Sequence, residues 1–148
     1  MSASHVRIHF PLVRDEDGYP PADRETLWAR ASGDGHYTLD NAPFFARGVS
    51  SGDVVAAVEQ TSGDLVFAGL VAQGGHRTVR IVCDQPEAVA RVRDAVARMG
   101  CKSEQSHIAT LVAVDVPPEV SSLDFLKFLE EAQAAGLFND WEEGAVDW

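Results

Sequence analysis

Asp40-Asn41-Ala42-Pro43-Phe44-Phe45-Ala46-Arg47-Gly48-Val49-Ser50-Ser51-Gly52-Asp53-Val54-Val55 joins turn formers, a Pro-Phe-Phe segment and the start of a strand in one run. Gly48 and Gly52 permit a tight bend, because a residue without Cβ tolerates positive φ. From Asp53 onward the residues read as a strand. One of Phe44 and Phe45 is expected to plug the core of the first half, leaving the other for the surface or a pocket.

Working outward, residues 6–12 alternate apolar and polar as a half-buried strand does, and residues 14–23 form a charged loop. Residues 25–31 and 36–40 flank Gly33-Asp34-Gly35, and residues 54–60 and 65–72 flank Thr61-Ser62-Gly63-Asp64, both hairpin signals. Residues 1–75 are therefore expected to form a small antiparallel sheet or barrel, with Trp28 in its core.

The pattern changes after Gly74-Gly75. Residues 76–83 read as a strand, and Asp84-Gln85-Pro86-Glu87 opens a helix with Asp84 as its cap. That helix ends at Gly100 and carries an apolar stripe of Val89, Val92, Val96 and Met99. Strands follow at 102–105 and 107–116, the second apolar on both faces and so covered twice. One cover is the helix layer, and the other is the N-terminal sheet or a second copy in a homodimer. A second helix spans 121–135 with Phe125, Leu126, Leu129 and Ala132 inward, and residues 137–148 hold an edge strand. The expected fold is α+β: a small barrel (1–75) packed on a ferredoxin-like βαββαβ part (76–148).

Charge narrows the function classes. Twelve basic residues against 23 acidic ones give a net −11, with only two lysines, Lys102 and Lys127, so direct nucleic-acid binding is not expected. Strand 107–116 also lacks the aromatics that stack RNA bases. No apolar run approaches a membrane span, and no basic-apolar leader opens the chain, so a cytoplasmic protein is expected. Residues 119–148 hold eight acids and one base, an acidity that suits docking to a basic protein or simple solubility. Trp141 and Trp148 lie within it.

Chemistry-bearing motifs are sparse. Gly48-Val49-Ser50-Ser51-Gly52 has the spacing of a nucleophile elbow, yet the helix that must follow is replaced by a strand. His5 and His9, four apart on a strand, should sit roughly 13 Å apart, too far to share a metal ion. Asp15, Asp17 and Asp23 lack the glutamate of a calcium loop. Cys83 and Cys101, separated by a helix of roughly 20 Å, are expected as free buried thiols. No metal or cofactor is expected.

The segment 40–55, with Glu25-Thr26-Leu27-Trp28-Ala29, Gly75-His76-Arg77-Thr78-Val79-Arg80 and Trp141-Glu142-Glu143-Gly144, resembles the bacterial domain-of-unknown-function family numbered 4265. The resemblance implies a stand-alone bacterial protein of this size and brings no catalytic residues. Two functions are expected from the residues themselves. The first is a non-enzymatic regulator or immunity-like inhibitor that binds a protein through Glu130, Glu131, Trp141, Glu142 and Glu143. The alternative is a small-molecule sensor or enzyme with a pocket between the two halves, lined by Asn41, Phe44, Arg47, Asp53 and His76.

Overall fold

A computed structural model describes residues 5–105 and 107–143. Asp147 and Trp148 of the acidic C-terminal region lie outside the described residues.

Five strands follow one another around a closed barrel: β1 (His5–Pro11), β2 (Arg24–Gly33), β3 (His36–Leu39), β4 (Val54–Glu59) and β5 (Leu65–Ala72). Successive strands are antiparallel, so the first and fifth run the same way and must close the barrel in parallel. That seam is short, Ile8 against Leu65 and His9 against Val66. The β2–β3 turn places Asp34 at φ 57° between Gly33 and Gly35, the conformation the hairpin signal demanded.

Alternation decides what fills the barrel. Leu27 and Ala29 are buried, which sends Trp28 outward. It is 47% exposed, with the Arg7 guanidinium 5.4 Å from its ring, so the expected core tryptophan is a surface residue. The Phe-Phe plug is also replaced. Glu25 accepts the backbone N–H groups of Phe44, Phe45 and Ala46 at 2.6, 3.0 and 2.8 Å, curling the segment so that Ala46 and Val49 enter the core. Both phenylalanines remain partly exposed.

The second half is β6 (Arg77–Val82), α1 (Pro86–Arg98), β7 (Lys102–Gln105), β8 (Leu111–Val116), α2 (Ser122–Ala134) and β9 (Asp140–Glu143). Its antiparallel sheet has the order β9-β6-β8-β7. Val79 and Ile81 of β6 and Val112, Val114 and Val116 of β8 meet Val89, Val92 and Val96 of α1 and Phe125, Leu129 and Ala132 of α2 in one core. Ser121 caps α2 by accepting the Asp124 N–H. At α1 the cap residue is Gln85, with no side-chain hydrogen bond, and Asp84 instead accepts from the Asn139 amide. The expected strand 107–116 starts only at Leu111; the residues before it turn, with the Leu111 N–H on the Ile108 carbonyl.

The opposite sheet face is polar. The register aligns Lys102, Asp115 and Thr78 in one row and Glu104, Ala113, Arg80 and Glu142 in the next. Segment 40–53 covers this face: the Ser50 and Thr78 hydroxyls bond at 2.7 Å, Arg80 Nη2 donates to the Ala46 carbonyl at 2.7 Å, and Glu104 accepts the Ala42 N–H at 2.8 Å. Ser50 is thus a buried structural hydroxyl. Cys83 and Cys101 are free and buried, and burial raises both thiol pKa values, that of Cys101 to about 11. No helix among the described residues is long and apolar enough to cross a membrane.

Candidate functional site

Barrel and sheet leave a cleft of about 410 Å³ beside the β7–β8 edge. His76 stands in it between the last barrel strand and β6. Its Nδ1–H donates to Asp115 Oδ1 at 2.7 Å, a bond between residues 39 apart in sequence that the β6–β8 register brings together. The carboxylate thereby fixes the imidazole's orientation and tautomer. Nε2 has no hydrogen bond among the described residues and is left as the free nitrogen.

Two glycines hold the ring. A Cβ at position 52 would lie 2.9 Å from His76 Cδ2 and 3.2 Å from Nε2, and Gly52 has φ +86°, so only glycine lets the backbone lie against the imidazole. Gly74 packs on Gly52 more closely still, where an added Cβ would sit 2.3 Å from the Gly52 carbonyl oxygen. Asp53, 1% exposed, fastens the pair: Oδ2 accepts the Ser50 N–H at 2.9 Å and Oδ1 the Gly74 N–H at 2.8 Å.

Around His76 polar residues outnumber apolar ones. Lys102, Glu104 and Asp115 rise from the sheet, Asp40, Asn41 and Ser51 come from the covering segment, and Leu39 and Ala42 are the apolar lining residues. Burial raises the Glu104 carboxyl pKa, against the lowering effect of the Ala42 N–H and the Asn41 side chain. Burial likewise raises Asp115, opposed by the hydrogen bond and charge of His76 and by Lys102. Asp40 is already engaged, with Oδ2 2.8 Å from His5 Nε2 and 3.6 Å from Arg30 Nε.

Of the five expected pocket residues, His76 and Asn41 line this cleft. Asn41 also accepts the Trp28 N–H at 2.8 Å, and Asp53 supports the cleft from behind. Phe44 and Arg47 are not brought into it; Arg47 lines a different cavity at the barrel end. Lys102, Glu104 and Asp115 were missed, although Asp115 between Val114 and Val116 is a polar break in an apolar strand and was a readable signal. The five acidic-patch candidates are also separated. Glu142 sits across from Arg80 on the barrel side of the sheet, with Oε1 3.5 Å from Nη1. Trp141 packs against the helix-side core, and Glu130 and Glu131 are exposed on α2. His5 and His9 take separate partners, Asp40 and Thr26.

Asp115 makes a pH test available. Its folded-state pKa lies above the ordinary carboxylate value, so the folded form holds this proton more tightly than the unfolded chain. Stability from this group is full below about pH 4 and is lost as pH rises through the folded value. Asp115→Asn keeps an acceptor for His76 and removes the desolvated charge. The variant is expected to melt higher than the wild type at pH 7 and equally at pH 3.5. A lower Tm at pH 7 would mean that the His76 ion pair outweighs burial.

Fold and site define an α+β protein, mostly antiparallel, with two helices and a polar cleft between a five-stranded sheet and a helix-backed one. The chain belongs to the family described as a domain of unknown function, DUF4265, whose profile matches residues 25–139. It is similar in fold to a crystal structure of a hypothetical protein from Neisseria gonorrhoeae, with a TM-score of 0.75 at 18% identity over 100% of this chain and 99% of that one. No curated protein matches it.

Proposed function

We propose that the chain binds a small polar molecule in the junction cleft, with His76 as the group that meets it. The observation that carries this reading is the His76–Asp115 pair, a histidine oriented by a partly buried carboxylate with Nε2 left for a ligand. With Nδ1–H held by Asp115, Nε2 is an acceptor, which suits recognition of a hydroxyl or amine donor. Three carboxylates and Asn41 supply acceptors against one lysine, which favours a ligand that brings hydrogen-bond donors. The ligand class is therefore a small polyol or amine.

Docking of a basic protein on the acidic region is the weaker reading, because Glu142 is turned to Arg80 while Glu130 and Glu131 lie on the outer surface of α2. We read residues 1–75 and 76–148 as two units, the second ferredoxin-like, on the support of the element order from β6 to β9 and the strand order β9-β6-β8-β7. A cytoplasmic site is supported by two buried unpaired thiols.

The test is a thermal-shift screen of polyols, amino sugars, amines and amino acids. A ligand at about a hundred times its Kd adds roughly 2.7 kcal/mol. A compound that raises the Tm of the wild type and of Arg47→Gln, but not of His76→Ala or Glu104→Gln, is the expected result. No active compound, or a shift that survives His76→Ala, would overturn the proposal.

A further inference from the structure

The end of the barrel nearest the 12–23 loop opens into a second cavity, of about 250 Å³, lined mainly by aromatic and aliphatic residues. Its walls are Phe10, Leu12, Phe45 and Phe67, with Val13 on the rim and Arg47 beside them. Phe10 and Phe67 stack with centroids 4.6 Å apart, and Phe45 is held edge-on by Tyr19 at 5.9 Å, so the rings are fixed in place. Val13 is 92% exposed, an apolar side chain left in water at the lip of an apolar cavity.

Arg47 provides the polarity. It is exposed, and among the described residues it forms no salt bridge or hydrogen bond, in contrast to Arg30, Arg77, Arg80 and Arg93. A guanidinium presents two parallel N–H donors that match the two oxygens of a carboxylate. The cavity is smaller than the roughly 300–1,000 Å³ of sites for drug-sized molecules, which limits the apolar part of an occupant to about one ring.

We propose that the barrel mouth is a second ligand site, taking a small aromatic carboxylate with its ring among Phe10, Phe45 and Phe67 and its carboxylate on Arg47. Charge complementarity selects the anion and the phenylalanine walls select the ring. Nothing in this site is shared with the junction cleft, so the two proposals stand or fall separately.

The experiment is a two-dimensional amide NMR titration of the whole chain with phenylacetate, with benzylamine and acetate as controls. Phenylacetate is expected to give saturable shifts at residues 10–13, 45–47 and 67, with a Kd between about 10 μM and 1 mM. Arg47→Gln, an exposed position that leaves the fold intact, should weaken binding about tenfold or more, the scale of a lost charged hydrogen bond. Benzylamine should leave these amides unmoved, and acetate should not saturate. No saturation by phenylacetate below about 10 mM would overturn the proposal, since that range lies outside specific recognition. Unchanged affinity in Arg47→Gln, equal binding of benzylamine, or shifts centred on His76 and Asp115 would overturn it too.

Discussion

Gly74→Ala is expected to cost the protein about 3 kcal/mol or more and to loosen the junction cleft. An ordinary glycine replacement in an extended segment is mild, but here the new methyl would lie 2.3 Å from the Gly52 carbonyl oxygen and 2.7 Å from its carbon. Both are backbone atoms with no rotamer to adopt, so the two chain segments must separate. Gly52 is tied on its other side, its N–H donating to the Leu39 carbonyl at 2.8 Å. Separation also breaks the Gly74 N–H bond to Asp53 Oδ1, a charge-assisted bond to a buried carboxylate. His76, two residues on and packed against Gly52, would then lose its fixed place. Urea denaturation should show a lower midpoint, and a cleft ligand found by thermal shift should bind more weakly. The matched control is Gly69→Ala, where an added Cβ meets nothing within 4 Å. Its effect should stay within about 0.5 kcal/mol, and a similar loss at both positions would assign the cost to general strand effects instead of the close approach.

Local chemistry made much of this fold readable. Gly33-Asp34-Gly35 could only be a turn, Gly100 and Gly136 end the helices with positive φ, and the apolar stripe of α1 is the face it buries. Trp28 was misplaced even though the evidence was adjacent: with Leu27 and Ala29 inward, period two leaves residue 28 outside. What could not be read was which polar residues would share a buried face. Thr78-Val79-Arg80-Ile81 alternates plainly, but the side that meets helices and the side that meets the barrel segment are decided by packing across long separations. The same holds for the site. His76 stood out at the junction, while its partner Asp115 became visible only through the β6–β8 register. Arg47 and Asn41 lie six residues apart and still serve different cavities, because Glu25 binds the three N–H groups between them and folds the segment over.

Arg80→Ala should destabilise the fold by about 3 kcal/mol, whereas Arg80→Met should recover at least half of that loss. Arg80 is 1% exposed between the sheet and the covering segment, and its charge is poorly compensated. Nη2 reaches the Ala46 carbonyl, Nη1 lies 3.5 Å from a Glu142 side chain that is 43% exposed, and Nε has no hydrogen-bond partner among the described residues. Burial lowers its pKa, against the raising influence of Glu142, Glu25 and Tyr19, yet a guanidinium keeps its proton in proteins and so carries the desolvation cost. Alanine would leave a void across the interface and strand the Ala46 carbonyl. Methionine would refill most of the volume and remove both the buried charge and the orphan Nε, keeping the loss of the Ala46 bond as its main cost. Midpoints from chemical denaturation at constant slope decide the matter. If methionine proves as damaging as alanine, the hydrogen bond from Arg80 to the Ala46 carbonyl holds barrel to sheet. If methionine is well tolerated, packing of the side chain holds them.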